Sequence, residues 1–306
     1  MLRTRVPSAA TGLALVLCAC AVAVGQTQPF QPRFLKPPTI RANPNRAVPL
    51  AAIVRFVADR PVSVSLKISD GKRVRTILFP GRPQQKQRLI VLGFKPARTH
   101  AIQIVLHDGK GKSFEVEETL SFTTGKLPAD FPPLTCPISK PAKMEPGITL
   151  FNCFQWVNDV ANEGLGYIIA IDSAGEVVWY CRTDHPISDV KRLRNGDLIY
   201  LRQHRVHPWT EAVQIDMLGN VVRDWYAAAR VEPGSGPANA VPLNVDTLHH
   251  DVVEVAGGNL RAITTEVRRL RRYPSSAINR KARRGPANVV GDVIVEFEPG
   301  GKIVQR

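Results

Sequence analysis

Leu248-His-His-Asp-Val-Val-Glu254 places two imidazoles and a carboxylate on consecutive residues. Imidazole is a competent nucleophile near neutral pH, and its protonated form donates hydrogen bonds to anionic oxygens. On a strand, successive side chains point to opposite faces, so only one of His249 and His250 can point fully into a site. His249 then shares its face with Asp251, whose carboxylate can orient a ring nitrogen. The plainer reading is a histidine pair capping a turn. His249 and His250 are the candidate catalytic residues, with Asp251 and His185 as candidate substrate-binding residues. His185 precedes Pro186 and opens a segment that matches the His249 segment; its plainer reading is a solvated loop residue. His204-x-x-His207 has a metal-like spacing, but no cysteine or third ligand is near, so no metal is assigned. Trp209 follows in the same loop and can line an aromatic pocket. No GxGxxG, P-loop, GxSxG or HExxH pattern is present, and no cofactor is called for.

The elements that must position these groups are strands. Tyr167-Ile-Ile-Ala-Ile-Asp172-Ser-Ala-Gly175-Glu-Val-Val-Trp179 recurs as Ala212-Val-Gln-Ile-Asp216-Met-Leu-Gly219-Asn-Val-Val222 and as Asp292-Val-Ile-Val-Glu-Phe-Glu298-Pro-Gly-Gly301-Lys-Ile-Val304. Each copy reads as a strand, an acid-x-x-Gly turn and a second strand. Between the copies lie two further hairpins, closed by Asn195-Gly196 and Gly257-Gly258. The interval from Asp172 to Asp216 fits the roughly 40–45 residues of one four-stranded propeller blade. The longer interval to the third copy implies an insertion, placed at residues 273–288. About two blades and part of a third are present, so the sequence predicts an incomplete propeller, since ring closure takes about 4–8 blades. His249 would then begin an innermost strand, which faces the central channel. Trp179 and Trp225 read as packing between blades.

The N-terminal part has a different texture. Short β-branched runs cover residues 51–57, 62–68, 75–79, 89–92, 100–107 and 115–123. Val62-Ser-Val-Ser-Leu-Lys-Ile68 alternates with period two, the mark of a strand buried on one face. These runs predict an immunoglobulin-like β-sandwich, with His100 and His107 at its surface. The fold class expected is therefore all-β: that sandwich followed by the partial propeller. The domains expected are a signal peptide at 1–25, the sandwich at 26–126 with a proline-rich extended lead-in to residue 45, a proline-rich linker at 127–146, and the propeller part at 147–306.

Arg3 and Arg5 followed by the apolar stretch 13–24 match an export signal with a charged start and a core too short to span a bilayer. The localisation expected is periplasmic or secreted, with lipidation at Cys20 as the alternative. Cys136, Cys153 and Cys181 remain after the leader, an odd set that allows one bridge or single buried thiols. The chain of 306 residues carries 41 Lys and Arg against 26 Asp and Glu, a formal charge of +15. Hydrophobic residues at 44% exclude a disordered chain. Much of the excess charge sits in residues 267–291, where Arg268, Arg269, Arg271, Arg272, Arg280, Lys281, Arg283 and Arg284 meet no acid. This reads as a solvated insertion, or as an attractor of an anionic substrate or of a membrane surface. Nucleic acid is not an expected partner, because no recognised nucleic-acid module is present in a chain marked for export. A homodimer is left open.

Signal, sandwich, proline-rich linker and propeller, in that order, resemble the bacterial aryl-sulfate sulfotransferases. The resemblance is carried by Gly147-Ile-Thr-Leu-Phe-Asn152, Ile171-Asp-Ser-Ala-Gly-Glu-Val-Val-Trp179, His185-Pro-Ile-Ser-Asp-Val190 with Asn195-Gly196, and Leu248-His-His-Asp-Val-Val-Glu254, and spans about residues 48–306. It implies sulfuryl transfer from an aryl sulfate donor to a phenolic acceptor through a sulfo-histidine, without a nucleotide sulfate donor. It also implies that His249-His250 takes the position of the family's early channel histidine, which binds or polarises. The family's nucleophilic histidine and its arginine lie on later blades, so the resemblance implies little turnover by this chain alone. The alternative function is a non-catalytic exported binding or scaffold propeller.

Overall fold

The computed structural model describes residues 30–155, 164–204 and 207–306. The expected signal peptide, with Cys18 and Cys20, lies outside the described residues. The described chain is all-β, with a single 3-10 turn at Pro141–Lys143. Among the described residues no helix is long and apolar enough to cross a membrane.

The N-terminal part is one curled five-stranded sheet built around a long strand. Its strands are β1 (Phe34–Ala42), β2 (Ala52–Ser69), β3 (Val74–Val91), β4 (Thr99–His107) and β5 (Ser113–Thr123). One edge of β2 pairs with β3; the other pairs with β1 over its first half and with β4 over its second. The runs 51–57 and 62–68 are thus the two halves of one strand. Pro61, which has no N–H to give to a ladder, is absorbed where the register shifts between Val57 and Val62. Likewise 75–79 and 89–92 are the ends of β3, with Pro80 and Pro83 between them. The proline-rich lead-in contains β1, which tolerates Pro37 and Pro38 because it is an edge strand with a register shift between Lys36 and Thr39. The period-two pattern holds: Val62, Val64, Leu66 and Ile68 bury into one core with Ile102, Ile104 and Leu106. His107 is partly exposed, but His100, expected at the surface, is buried and accepts the Lys95 N–H at Nε2.

Three smaller sheets follow. The first joins β6 (Thr149–Gln155), β7 (Leu165–Ile171) and β8 (Val177–Thr183). The second joins β9 (Ile187–Arg192), β10 (Leu198–Arg202), β11 (Glu211–Ile215) and β12 (Val221–Ala227), with β13 (Val241–Leu243) added parallel to β12. The third joins β14 (His249–Glu254), β15 (Leu260–Pro274), β16 (Arg284–Phe297) and β17 (Ile303–Gln305). The acid-x-x-Gly segments are tight turns as read from the sequence. Gly175, Gly219 and Gly301 have φ of +78°, +82° and +91°, and each returns its N–H to the carbonyl of the acid three residues earlier. A side chain there would be strained in the left-handed region.

The sheets are tied to one another by bonds that repeat. Trp179 Nε1 donates to Met217 O at 3.1 Å, in the turn of the next sheet, and Trp225 Nε1 donates to Pro299 O at 3.0 Å, in the turn of the one after. On the first strands, Asn152 Oδ1 accepts the Val190 N–H at 3.3 Å, and Asp189 Oδ2 accepts the Val252 N–H at 2.9 Å. Each sheet therefore fixes its successor at both ends.

The N-terminal sheet is not tethered loosely to the rest. Val48, Ala51 and Ile53 share a core with Ile168, Trp179 and Leu198. Asn43 Nδ2 donates to Leu218 O at 2.9 Å, and Lys95 pairs with Asp172 at 3.1 Å and with Glu176. The start of the proline-rich segment is docked too: Phe131 packs edge-on to Tyr167 and Tyr180, and Asp130 accepts the Tyr167 hydroxyl and pairs with Arg182. Cys136, Cys153 and Cys181 are all free thiols.

Candidate functional site

Five of the seven histidines, all those outside the N-terminal sheet, gather at one end of the sheets. The strand register places them. Arg202 at the end of β10 pairs with Ile187 at the start of β9 and with Glu211 at the start of β11. His185, His204 and His207 therefore flank that end. The Leu248 N–H donates to Thr210 Oγ1 at 2.6 Å, which brings His249 and His250 to the same end.

His249 and His250 are neighbours with ring centroids 5.0 Å apart at 82°. They do not sit on a regular strand. His249 pairs with Ile263 and Val252 with Ala262, so His250 and Asp251 form a bulge opposite no partner residue. His250 is exposed with φ +61°. The bulge removes the simple alternation that would set Asp251 beside His249. The carboxylate facing His249 is instead Asp292, 3.6 Å from Nε2. Asp251 lies 3.4 Å from Lys191, which also pairs with Asp189 at 2.6 Å. Asp189 occupies the matching bulge of β9, with φ +54°. Burial raises the Asp189 pKa, with the Asp251 carboxylate adding to it against the pull of Lys191.

His185 does not join that pair. Its ring lies 4.7 Å from His204, and its Nδ1 is 2.7 Å from Asp184 Oδ1. The His185 hydrogen bond holds the Asp184 pKa down at about 2. His204 is the hub: its ring is 5.3 Å from His207 and 6.0 Å from Trp209, while His207 stacks on Trp209 at 4.3 Å and 15°. His204 Nε2 lies 2.7 Å from Glu211 Oε2, the oxygen that also faces Arg202 Nε at 2.5 Å. Arg202 reaches Asp224 Oδ2 at 2.5 Å with its other arm. Although burial opposes ionisation, His204 and Arg202 hold Glu211 below its usual pKa. Among the described residues no group of three or more His, Cys, Asp or Glu is arranged to hold a metal ion.

Arg202, Glu211 and Asp224 gave no signal in the sequence, because they meet only through the antiparallel register of three strands. Asp189 did leave one: Ser188-Asp-Val190 parallels His250-Asp-Val252.

Burial, and next the Glu211 carboxylate, push Asp224 up to about 7 against the pull of Arg202. Its unfolded value is near 4. Between those values the folded chain holds the extra proton, so this group's stabilising contribution is complete below about pH 4 and is lost as pH rises through about 7. Asp224→Asn is therefore expected to gain on the parent as pH rises from 5 to 8 in thermal melts. A Tm difference that is the same at both pH values would show that Asp224 titrates normally.

The long hairpin of β15 and β16 leaves the sheet at this end. β15 pairs with β14 only up to Ile263, opposite His249, and then runs on with β16 to Pro274. The basic cluster beginning at Arg268 lies on this extension, where the sequence placed an insertion, and its side chains are exposed. Arg268 pairs with Glu266 at 3.1 Å.

A family model described as arylsulfotransferase (ASST) matches residues 135–306. No curated protein and no solved structure matches the chain.

Proposed function

The chain belongs to the arylsulfotransferase family, and on that premise we propose that it moves a sulfuryl group from an aryl sulfate to a phenol at the histidine-bearing end of its sheets. The observation that carries this reading is the convergence there of His185, His204, His207, His249 and His250, which the sequence scatters over three sheets' worth of chain. In the first step a histidine nitrogen attacks sulfur, the N–S bond forms, and the S–O bond to the aryl group breaks as phenolate leaves. In the second step the phenolic oxygen takes the sulfuryl group from nitrogen and gives up its proton to a nearby base. Charge grows on the leaving phenolate and on the sulfuryl oxygens, so the site must present donors to them. His250, exposed on a bulge, and His249 beside it are the groups we assign to that contact, with Lys191 held between Asp189 and Asp251 as the adjacent cation. The stacked His207 and Trp209 offer a flat aromatic face for a donor or acceptor ring. The exposed basic hairpin raises the local concentration of an anionic donor.

The same reading takes the N-terminal sheet as immunoglobulin-like and the three smaller sheets as propeller blades; the repeated tryptophan and carboxylate or amide bridges support the latter. Arg3, Arg5 and the apolar stretch after them support export. The test is release of phenolate from a chromogenic aryl sulfate by the purified chain, with and without a second phenol. The resemblance by itself implies little turnover by this chain alone; the convergence of five histidines in it makes release that depends on the second phenol the expected result. Release indifferent to it would mean hydrolysis, and tight aryl sulfate binding without release would favour the non-catalytic binding reading.

A further inference from the structure

A cleft of about 780 Å³ lies between the N-terminal sheet and the first two smaller sheets. His100 of the N-terminal sheet lines it, but the five histidines of the candidate site lie at the other end of the strands. Asp172, Leu198 and Met217 line it at the turn end of the strands, whereas Arg202 marks the other end of β10. Those four residue steps span about 14 Å at ~3.4 Å each. The walls are apolar: Ile68, Ile90 and Leu92 on one side, and Leu150, Val178 and Trp179 on the other. The volume suits a small organic ligand, for which pockets run about 300–1,000 Å³.

The charges at the cleft do not balance. Its acids are already engaged: Asp172 with Lys95 at 3.1 Å, and Asp70 with Arg98 at 2.7 Å. Arg73, Arg75 and Arg192 also line the cleft; among the described residues none of the three forms an ion pair, and Asp70, whose charge is felt at Arg75, is already paired with Arg98. Arg75 is held in place by donating Nη2 to Leu92 O at 2.6 Å, its guanidinium lying across Gly93, where a side chain would strike it. Apolar walls with unmatched guanidinium groups fit a ligand that is apolar at one end and anionic at the other. We propose that this cleft is a second binding site, for an amphipathic organic anion, separate from the transfer site.

The probe is 8-anilinonaphthalene-1-sulfonate, titrated into the full chain by fluorescence, with the uncharged N-phenyl-1-naphthylamine as control. Saturable binding of the sulfonate is expected, weakened about tenfold or more in Arg75→Glu with Arg192→Glu. The uncharged analogue should bind more weakly to the parent and change less than twofold. Arg192 is exposed, so the melt of Arg192→Glu alone should match the parent, and this single variant should still weaken sulfonate binding where loss of the Arg75–Leu92 hydrogen bond alters the melt of the double variant. Leu150→Trp, which fills the cleft, should abolish sulfonate binding, and His250→Ala should leave it intact. Sulfonate affinity unchanged by the charge reversals, equal affinity for the neutral analogue, or loss of binding in His250→Ala would each overturn the proposal. None of these outcomes depends on sulfuryl transfer.

Discussion

His250→Ala is expected to lower acceptor-dependent turnover by about 10²–10³-fold, the loss of about 2.7–4 kcal/mol typical of one donor to a charge that builds in the transition state. The imidazole is exposed at the end where the histidines gather, and its bulge aims it away from the regular ladder. His249→Ala should cost less, since that ring is mostly covered and sits beside Asp292. His250→Gly separates the two features of the position. Glycine accepts φ +61° without strain, so any loss it shares with the alanine variant belongs to the imidazole. Turnover in His250→Ala and His250→Gly equal to the parent would remove this residue from the site.

Glu211→Gln is expected to destabilise the chain by about 3–5 kcal/mol, the cost of breaking a buried ion pair from one side. Glu211 is 2% exposed and its Oε2 faces both Arg202 and His204. A loss of that size lowers Tm by roughly 10 °C at about 2–4 °C per kcal/mol. Arg202→Met and Asp224→Asn added to Glu211→Gln should recover part of the loss, because Arg202 pairs with both carboxylates and no unpaired charge is then left among the three strands. A Tm within a degree of the parent in the single variant would mean that solvent reaches the pair and that it carries little energy.

The sequence alone determined the strand content, the alternating core of the N-terminal sheet and the three acid-x-x-Gly turns, because these depend on residues close together in the chain. Val62, Val64, Leu66 and Ile68 bury one face through the pleat itself, and Gly175, Gly219 and Gly301 are required by backbone conformation. It also indicated the family, through the domain order and the His249-His250-Asp251 segment, and the match over residues 135–306 agrees.

Only the tertiary structure decided which of these groups meet. Two unpaired residues at the β14 bulge broke the expected companionship of His249 and Asp251, and alternation cannot anticipate a bulge. His185 was drawn to His204 because Ile187 and Arg202 are register partners. Arg202, Glu211 and Asp224 became one charged cluster because three antiparallel strands bring distant positions within 2.5 Å. Likewise the start of the proline-rich stretch expected as a linker is docked through Phe131 and Asp130, and the N-terminal sheet shares a core with the repeat. Local chemistry fixes what each segment can be, but long-range register and packing choose its partners, and in this chain the candidate site is made of such partners.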